Sequence, residues 1–294
     1  MRILASIAFA GTVALGAAGA HAADLAPPVY PAPLPTAPIE GGWYLRGDIG
    51  LASNAIGAFD VMQNGQPVRA GAGGVNTFEL RTKTFSETVS VGVGVGYRFN
   101  SWLRADVSGE FRGGGRLRGM DYVNFDGGGG STTSQTNTYA GDVRSWVGLV
   151  NAYVDLGTFC TLGCLTPYLG AGFGFANTAI SNFTDSSAGF NSDWGATGSL
   201  GGYASSVSKT NFAWALMAGV GYRVNDRLSL ELGYRYLNLG DLPEIGLRDP
   251  ATGLPQPSGD AIRVRNLSSH EVRLGMRWML NCTCAAPAPI VARY

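Results

Sequence analysis

Between Met217 and Leu239 the chain reads MAGVGYRVNDRLSLELGYRYLNL. Ala218, Val220, Tyr222 and Val224 alternate with Met217, Gly219, Gly221 and Arg223, up to a turn at Asn225-Asp226. Leu228, Leu230, Leu232, Tyr234 and Tyr236 then alternate with Ser229, Glu231, Gly233, Arg235 and Leu237. A period of two sustained on both sides of a turn signal specifies two half-buried strands joined as a hairpin. It leaves open which face is buried, and in what solvent. A soluble barrel turns its apolar face inward, whereas a membrane barrel turns it out to lipid and its charges in.

The same alternation recurs along the chain, giving eight strands at 43–52, 85–99, 102–112, 143–157, 166–176, the two arms of the hairpin, and 269–280. One face collects nearly all the large apolar residues, such as Ile49, Val93, Val107, Val150, Phe173, Leu232 and Leu274. The other carries Arg46, Asp48, Arg98, Arg104, Asp106, Glu110, Arg112, Asp155, Arg223, Glu231, Arg235, Glu271, Arg273 and Arg277, together with many glycines. Gly is abundant, at 44 of 294 residues. Glycine has no advantage on a solvated exterior, where bulk is free. It suits the lumen of an eight-stranded barrel, which side chains only just fill. The apolar face therefore meets lipid. The fold class expected is all-β, an eight-stranded antiparallel up-and-down transmembrane β-barrel.

Connection lengths support this orientation. The links at 100–101, 157–165 and 225–226 are short, while 53–84, 113–142, 177–209 and 240–268 are long and rich in Gly, Ser, Thr, Asn and Asp. Short periplasmic turns and long extracellular loops mark outer-membrane barrels. Two aromatic belts follow: Trp43, Tyr97, Phe99, Tyr222 and Trp278 at the short-turn end, and Phe111, Trp146, Phe175, Phe212, Trp214, Tyr234 and Tyr236 at the long-loop end. Both match membrane interfaces.

The N-terminus reads as a secretory signal over 1–22. Arg2 precedes an apolar run, and Ala20-His21-Ala22 gives a cleavage site between Ala22 and Ala23. A Pro-rich periplasmic lead-in (23–41) precedes the barrel (42–280), and a periplasmic tail (281–294) follows it. No later apolar run is long enough for a spanning helix, so residence in a membrane requires a barrel. Net charge is zero, with 14% charged residues, so no footprint for nucleic acid is visible. The GGGG run at 127–130 lies in a loop and is not followed by a helix or a Lys, which excludes a phosphate loop. No cofactor or metal is expected.

With GGWYLRGDIG, LVNAYVDLG, TPYLGAGFGFA, LMAGVGYRVNDRLSLELGYRYLNLG and SHEVRLGMRWML, the chain resembles the small eight-stranded outer-membrane barrels of the OmpA/OmpX type. The likeness is greatest to their alphaproteobacterial surface-antigen branch, some members of which are called porins. The resemblance spans essentially the whole mature chain, through strand chemistry rather than catalytic signatures. It implies a surface protein of the Gram-negative outer membrane that supports envelope integrity. Its implied partners are outer-membrane lipid and lipopolysaccharide, the assembly machinery, and a host or surface ligand at the loops. One departure is NCTCAAPAPIVARY after Leu280, where the family's chain usually stops.

Three functions compete. The first is a non-enzymatic barrel whose luminal Arg forks pair with carboxylates to form a plug. The second is a small pore, with room left by glycine. The third is a lipid A-modifying enzyme built on Ser268-Ser269-His270-Glu271. There His270 has outward parity, while Ser269 and Glu271 point to the opposite face. The cysteines Cys160, Cys164, Cys282 and Cys284 all fall on the oxidising periplasmic side. Cys160–Cys164 is the favoured bridge, because Cys160-Thr161-Leu162-Gly163-Cys164 contains a Gly and can close a small loop, whereas Cys282 and Cys284 are separated by one residue and would strain if joined. A cross-link from the turn to the tail is its rival.

Overall fold

The computed structural model describes residues 41–158, 164–257 and 259–280, apart from the side chains of 198–200. The proposed signal, lead-in and tail, and Cys160, Cys282 and Cys284, lie outside the described residues. By its internal contacts the chain divides into 1–37 and 38–294; the barrel belongs to the second unit.

Among the described residues there are twelve strands: β1 (Gly42–Gln63), β2 (Gln66–Pro67), β3 (Val75–Phe85), β4 (Thr88–Arg98), β5 (Leu103–Gly128), β6 (Ser131–Asp155), β7 (Leu165–Asn191), β8 (Gly195–Ala204), β9 (Val207–Arg223), β10 (Leu228–Gly240), β11 (Ile245–Gly246) and β12 (Ala261–Met279). The antiparallel order β12-β10-β9-β7-β6-β5-β4-β1 closes on itself through β1–β12, in register from Tyr44↔Met279 to Met62↔Ala261. Eight strands thus form a closed barrel. β2, β3, β8 and β11 are appended above it. Closure removes the sheet edges that lipid could not satisfy.

The outward face is as the alternation requires. Ile49, Val93, Val107, Phe173, Leu232 and Leu274 are all exposed, while Tyr44, Arg104, Tyr153 and Glu271 are almost fully buried inside. The aromatic belts form in contact. Trp43 meets Tyr97 at 5.4 Å and Tyr97 meets Phe99 at 5.2 Å at one end. At the other end Phe111 meets Trp146 at 4.8 Å and Trp214 meets Tyr236 at 5.2 Å. Glycines admit the large luminal side chains: a Cβ on Gly96 would run into the Tyr44 ring, and one on Gly170 into the Tyr153 ring.

The long polar segments are not loops, which corrects the reading of 53–84, 113–142 and 177–209. β7 has 27 residues, whereas a membrane-spanning strand needs about 9–11. More than half of it therefore stands above the bilayer, as do the upper parts of β1, β5 and β6. Ser, Thr and Asn continue the ladder there because a strand facing water needs pairing rather than apolar bulk. Parity changes on the way up. Between Arg112/Ser145 and Gly115/Val143, β5 carries one extra residue, with Gly114 at φ 78°. Below that bulge Arg104, Asp106, Glu110 and Arg112 face inward; above it Leu117, Gly119, Asp121 and Val123 do. β7 bulges likewise between Ala140/Thr184 and Asp142/Ser181, with Asn182 at φ 52°; Asn tolerates that left-handed conformation better than most residues.

The fourth long segment, 240–268, is also no free loop. Its residues 241–247 fold back into the barrel mouth, burying Leu242, Ile245 and Leu247. Leu242 N–H donates to Val264 O at 3.0 Å and Leu247 N–H to Asp260 O at 2.8 Å. These side chains join Phe59, Leu117, Tyr139, Val143, Ile180, Phe183, Leu237 and Ile262 in an apolar core inside the upper barrel.

Candidate functional site: the barrel interior

The interior has two layers. The lower, at membrane depth, is ionic. Arg235 donates from Nη2 to both oxygens of Glu110 (2.6 and 2.7 Å) and from Nε to Glu271 (2.8 Å). Arg112 pairs with Glu110 at 3.2 Å and also with Glu271. Arg273 reaches Glu110 at 2.8 Å and pairs with Asp48. Arg46 bridges Asp48 and Asp106, each at 3.0 Å. Nearest the short turns, Arg104 pairs with Asp155 at 3.2 Å and Glu231 at 3.4 Å, and Arg277 with Glu231 at 3.4 Å. The Arg104 guanidinium also lies over the rings of Tyr153 (4.2 Å) and Tyr168 (4.9 Å). Such stacking suits guanidinium rather than ammonium.

The structure thus joins Arg46, Arg104, Arg112, Arg235, Arg273 and Arg277 with Asp48, Asp106, Glu110, Asp155, Glu231 and Glu271 in luminal ion pairs. Arg98 and Arg223, also expected in the lumen, sit at the short-turn rim. Arg223 is exposed there, which corrects its placement in the lumen: β9 ends at this residue, so no barrel wall encloses it. Arg98 is half-buried and donates to the carbonyls of Asn100 (3.0 Å) and Ser101 (3.4 Å). Composition did not single out the tyrosines Tyr44, Tyr153 and Tyr168, although their inward parity was readable. Tyr44 donates to Asp106 at 3.1 Å and Tyr153 contacts Arg46. A void of about 20 Å³ remains among Arg46, Tyr153, Tyr168 and Glu231, which is room for about one water.

The upper layer is the apolar core, with a cavity of about 330 Å³ above it at the extracellular mouth. Phe78, Val123, Phe125 and Leu247 form its apolar walls, and Asp121, Asp185 and Asp260 converge on it. Asp121 accepts from Asn137 and from Tyr139, both at 2.7 Å. Burial, and then the charges of Asp121 and Asp260, push the Asp185 carboxyl up to about 7.

The Ser-His-Glu arrangement does not assemble. The Ser269 hydroxyl donates to Glu271 at 2.8 Å inside the barrel. His270 is on the outer surface, with Nδ1 2.6 Å from the Tyr234 hydroxyl and its ring against Tyr236. The barrel wall separates Ser269 and Glu271 from His270. Cys164 is half-buried at φ 58° directly before β7; its expected partner Cys160 falls outside the described residues.

Comparison with known proteins agrees with the architecture. The model of the outer membrane protein beta-barrel domain family matches residues 10–264. An uncharacterised protein of Brucella abortus (strain 2308) is 35% identical over 280 residues, covering 88% of this chain and 92% of its own. Outer membrane protein PagN of Salmonella typhimurium is 30% identical over 208 residues, covering 70% and 77%. Among solved structures, Neisserial surface protein A superposes with a TM-score of 0.40 at 16% identity, covering 81% of this chain and 96% of that one.

Proposed function

Because the chain belongs to the outer membrane protein beta-barrel domain family and so resides in the Gram-negative outer membrane, we propose that it is a sealed, non-enzymatic barrel. It anchors a rigid extracellular sheet that supports the envelope and presents a surface for contact. The observation that carries this reading is the double closure of the interior. A solute would have to part the Arg–carboxylate layer, whose members are nine-tenths buried or nearly so, and then the apolar core above it. Breaking one buried pair costs roughly 3–5 kcal/mol. Against the rival pore reading, Tyr44, Tyr153, Tyr168 and Asn151 occupy the space beside the luminal glycines. The surface role rests on the long extracellular strands and on the mouth cavity, whose acid-lined walls suit a ligand bearing positive charge.

Single-channel recording of the purified protein in planar bilayers tests the seal. No discrete conductance steps are expected. Reproducible steps of uniform size would overturn the sealed reading in favour of a small pore.

A further inference from the structure

Above the bilayer, three aspartates from three parts of the chain share the mouth cavity. Beyond the bulge at Gly114, Asp121 and Val123 of β5 face inward; beyond the bulge at Asn182, Asp185 of β7 does so too. Asp260 reaches the same space just before β12. In the ionic layer below, Glu110, Glu231 and Glu271 each meet an arginine. Around the cavity no Lys, Arg or His is among the described lining residues. The neighbouring donors are already engaged: Asn137 and Tyr139 donate to the fully buried Asp121, and Gln135 donates to Asn137 at 2.6 Å. The Asp185 Oδ1 is buried and accepts no hydrogen bond among the described residues. Carboxylates that share a half-closed space favour a proton or a cation from outside. The raised Asp185 carboxyl, at about 7, reflects that demand.

Two observations select the class of cation. Among the described residues no three carboxylate, His or Cys groups stand close enough to share a metal ion, whereas a calcium ion takes roughly six to eight oxygens at ~2.3–2.6 Å. The acids are spaced for a larger cation that carries its own N–H donors. The rest of the wall is apolar, formed by Val61, Val68, Phe78, Phe125 and Leu247, and the two phenylalanine rings are only half-buried. An inorganic ion would leave these side chains facing water; an apolar body attached to the charge covers them. Aromatic faces also attract an organic ammonium. The volume of about 330 Å³ lies at the lower end of small-molecule sites, which span roughly 300–1,000 Å³. It fits one ring or short branched chain bearing a single ammonium.

We propose that the mouth cavity binds a small organic amine in its ammonium form. Asp185 is the charged acceptor, Asp121 and Asp260 supply the negative field, and Phe78 and Phe125 pack on the apolar body. The inference rests on the surface-contact part of the proposed function and names its ligand class. It is independent of the seal: conductance steps would leave an amine titration standing, and an amine that fails to bind would leave the sealed barrel standing. The titratable groups that face Asp185 are Asp121, Asp260, Asp249 and Tyr139. Tyr139 stays protonated, its hydroxyl pushed far up by burial and then by Asp121 and Asp185. Asp249 stays ionised, held low by the backbone N–H groups of Thr252 and Ala251.

The test titrates the full-length barrel in non-ionic detergent with phenethylammonium, by isothermal titration calorimetry at about pH 8, where a carboxyl of this kind is ionised. Saturable binding is expected. 2-Phenylethanol, which lacks the charge, and methylammonium, which lacks the ring, are each expected to bind about tenfold more weakly or less. Because Asp185 takes up its proton around 7, phenethylammonium is expected to bind about tenfold more weakly at about pH 6 than at about pH 8. D185N is expected to lose about tenfold at the higher pH and to show no such pH dependence. E87Q, exposed in the β3–β4 link away from the cavity, is expected to bind as the wild type does. Heat-modifiable migration on gels verifies that each variant is folded, and the wild-type pH series and the two ligand analogues stand without any variant. Absence of saturable binding, equal binding of 2-phenylethanol or methylammonium, or equal binding by D185N would each overturn the proposal.

Discussion

Reversing the charge of Arg235 strikes the centre of the ionic layer. In the wild type its guanidinium holds Glu110 at 2.6 and 2.7 Å and Glu271 at 2.5 Å, with the side chain only 3% exposed. Arg235→Glu removes these charge-assisted bonds and adds a third carboxylate beside the two it leaves. Arg112 and Arg273 remain on Glu110 and limit the damage. Removing one partner from a buried network costs roughly 3–5 kcal/mol. With a denaturant slope of ~2–3 kcal/mol per molar urea, the unfolding midpoint should fall by about 1–2 M. The assay is equilibrium unfolding in detergent micelles, followed by tryptophan emission. Lys209→Glu, on an exposed side chain with no partner among the described residues, is the control and should move stability by no more than about 0.5 kcal/mol. A cycle of Arg235→Met with Glu110→Gln should show a coupling of about 1 kcal/mol or more. Indistinguishable midpoints for Arg235→Glu and Lys209→Glu would refute the claim that the luminal pairs hold the barrel together.

Asp185 supplies a pH dependence. Its folded-state value of about 7 lies above the ordinary 3.8, so the native state keeps a proton that the unfolded chain has lost. Stability is therefore lost as pH rises from about 4 to about 7. The full shift would give a ceiling of about 4 kcal/mol, which water in the open cavity reduces to about 1–2 kcal/mol. Asp185→Asn should flatten that part of the stability–pH curve, measured by urea midpoints; an unchanged slope would clear Asp185. For the cysteines, non-reducing peptide mapping should find Cys160 joined to Cys164 within residues 158–166. A peptide joining that turn to residues 280–286 would make the tail a tethered element instead.

The membrane-spanning half of the barrel was legible because lipid enforces a strict rule there. Every outward position must be apolar, so Val89 through Val95 and Leu228 through Leu232 print their period of two plainly. The ionic layer was legible for the same reason, since Arg and Glu on such strands have nowhere else to go. The extracellular half was not, because water relaxes the rule. Thr132 to Tyr139 forms regular strand with no apolar stripe on its outer side. The parity changes at Gly114 and Asn182 also put Leu117, Phe183 and their neighbours out of step with the residues below them. The inward segment around Ile245 was hidden by its Pro and Gly, which read as loop. Arg223 carried the right parity, but alternation does not record where the barrel wall stops.

The extra residue in β5 near Gly113 and Gly114 has a consequence for how this chain can change over generations. Deleting one of the two glycines would restore a single unbroken alternation along the strand. Arg116 and Arg118 would stay outside and Leu117, Asp121 and Val123 inside, as Arg104 to Arg112 would also keep their places, because the lost residue is the one that has no partner on β6. The bulge works as an expansion joint between two ladders with different solvents. Insertions and deletions above it are absorbed before they reach the lipid-facing half, so the outer part can lengthen, shorten or diversify on a membrane anchor whose register never shifts.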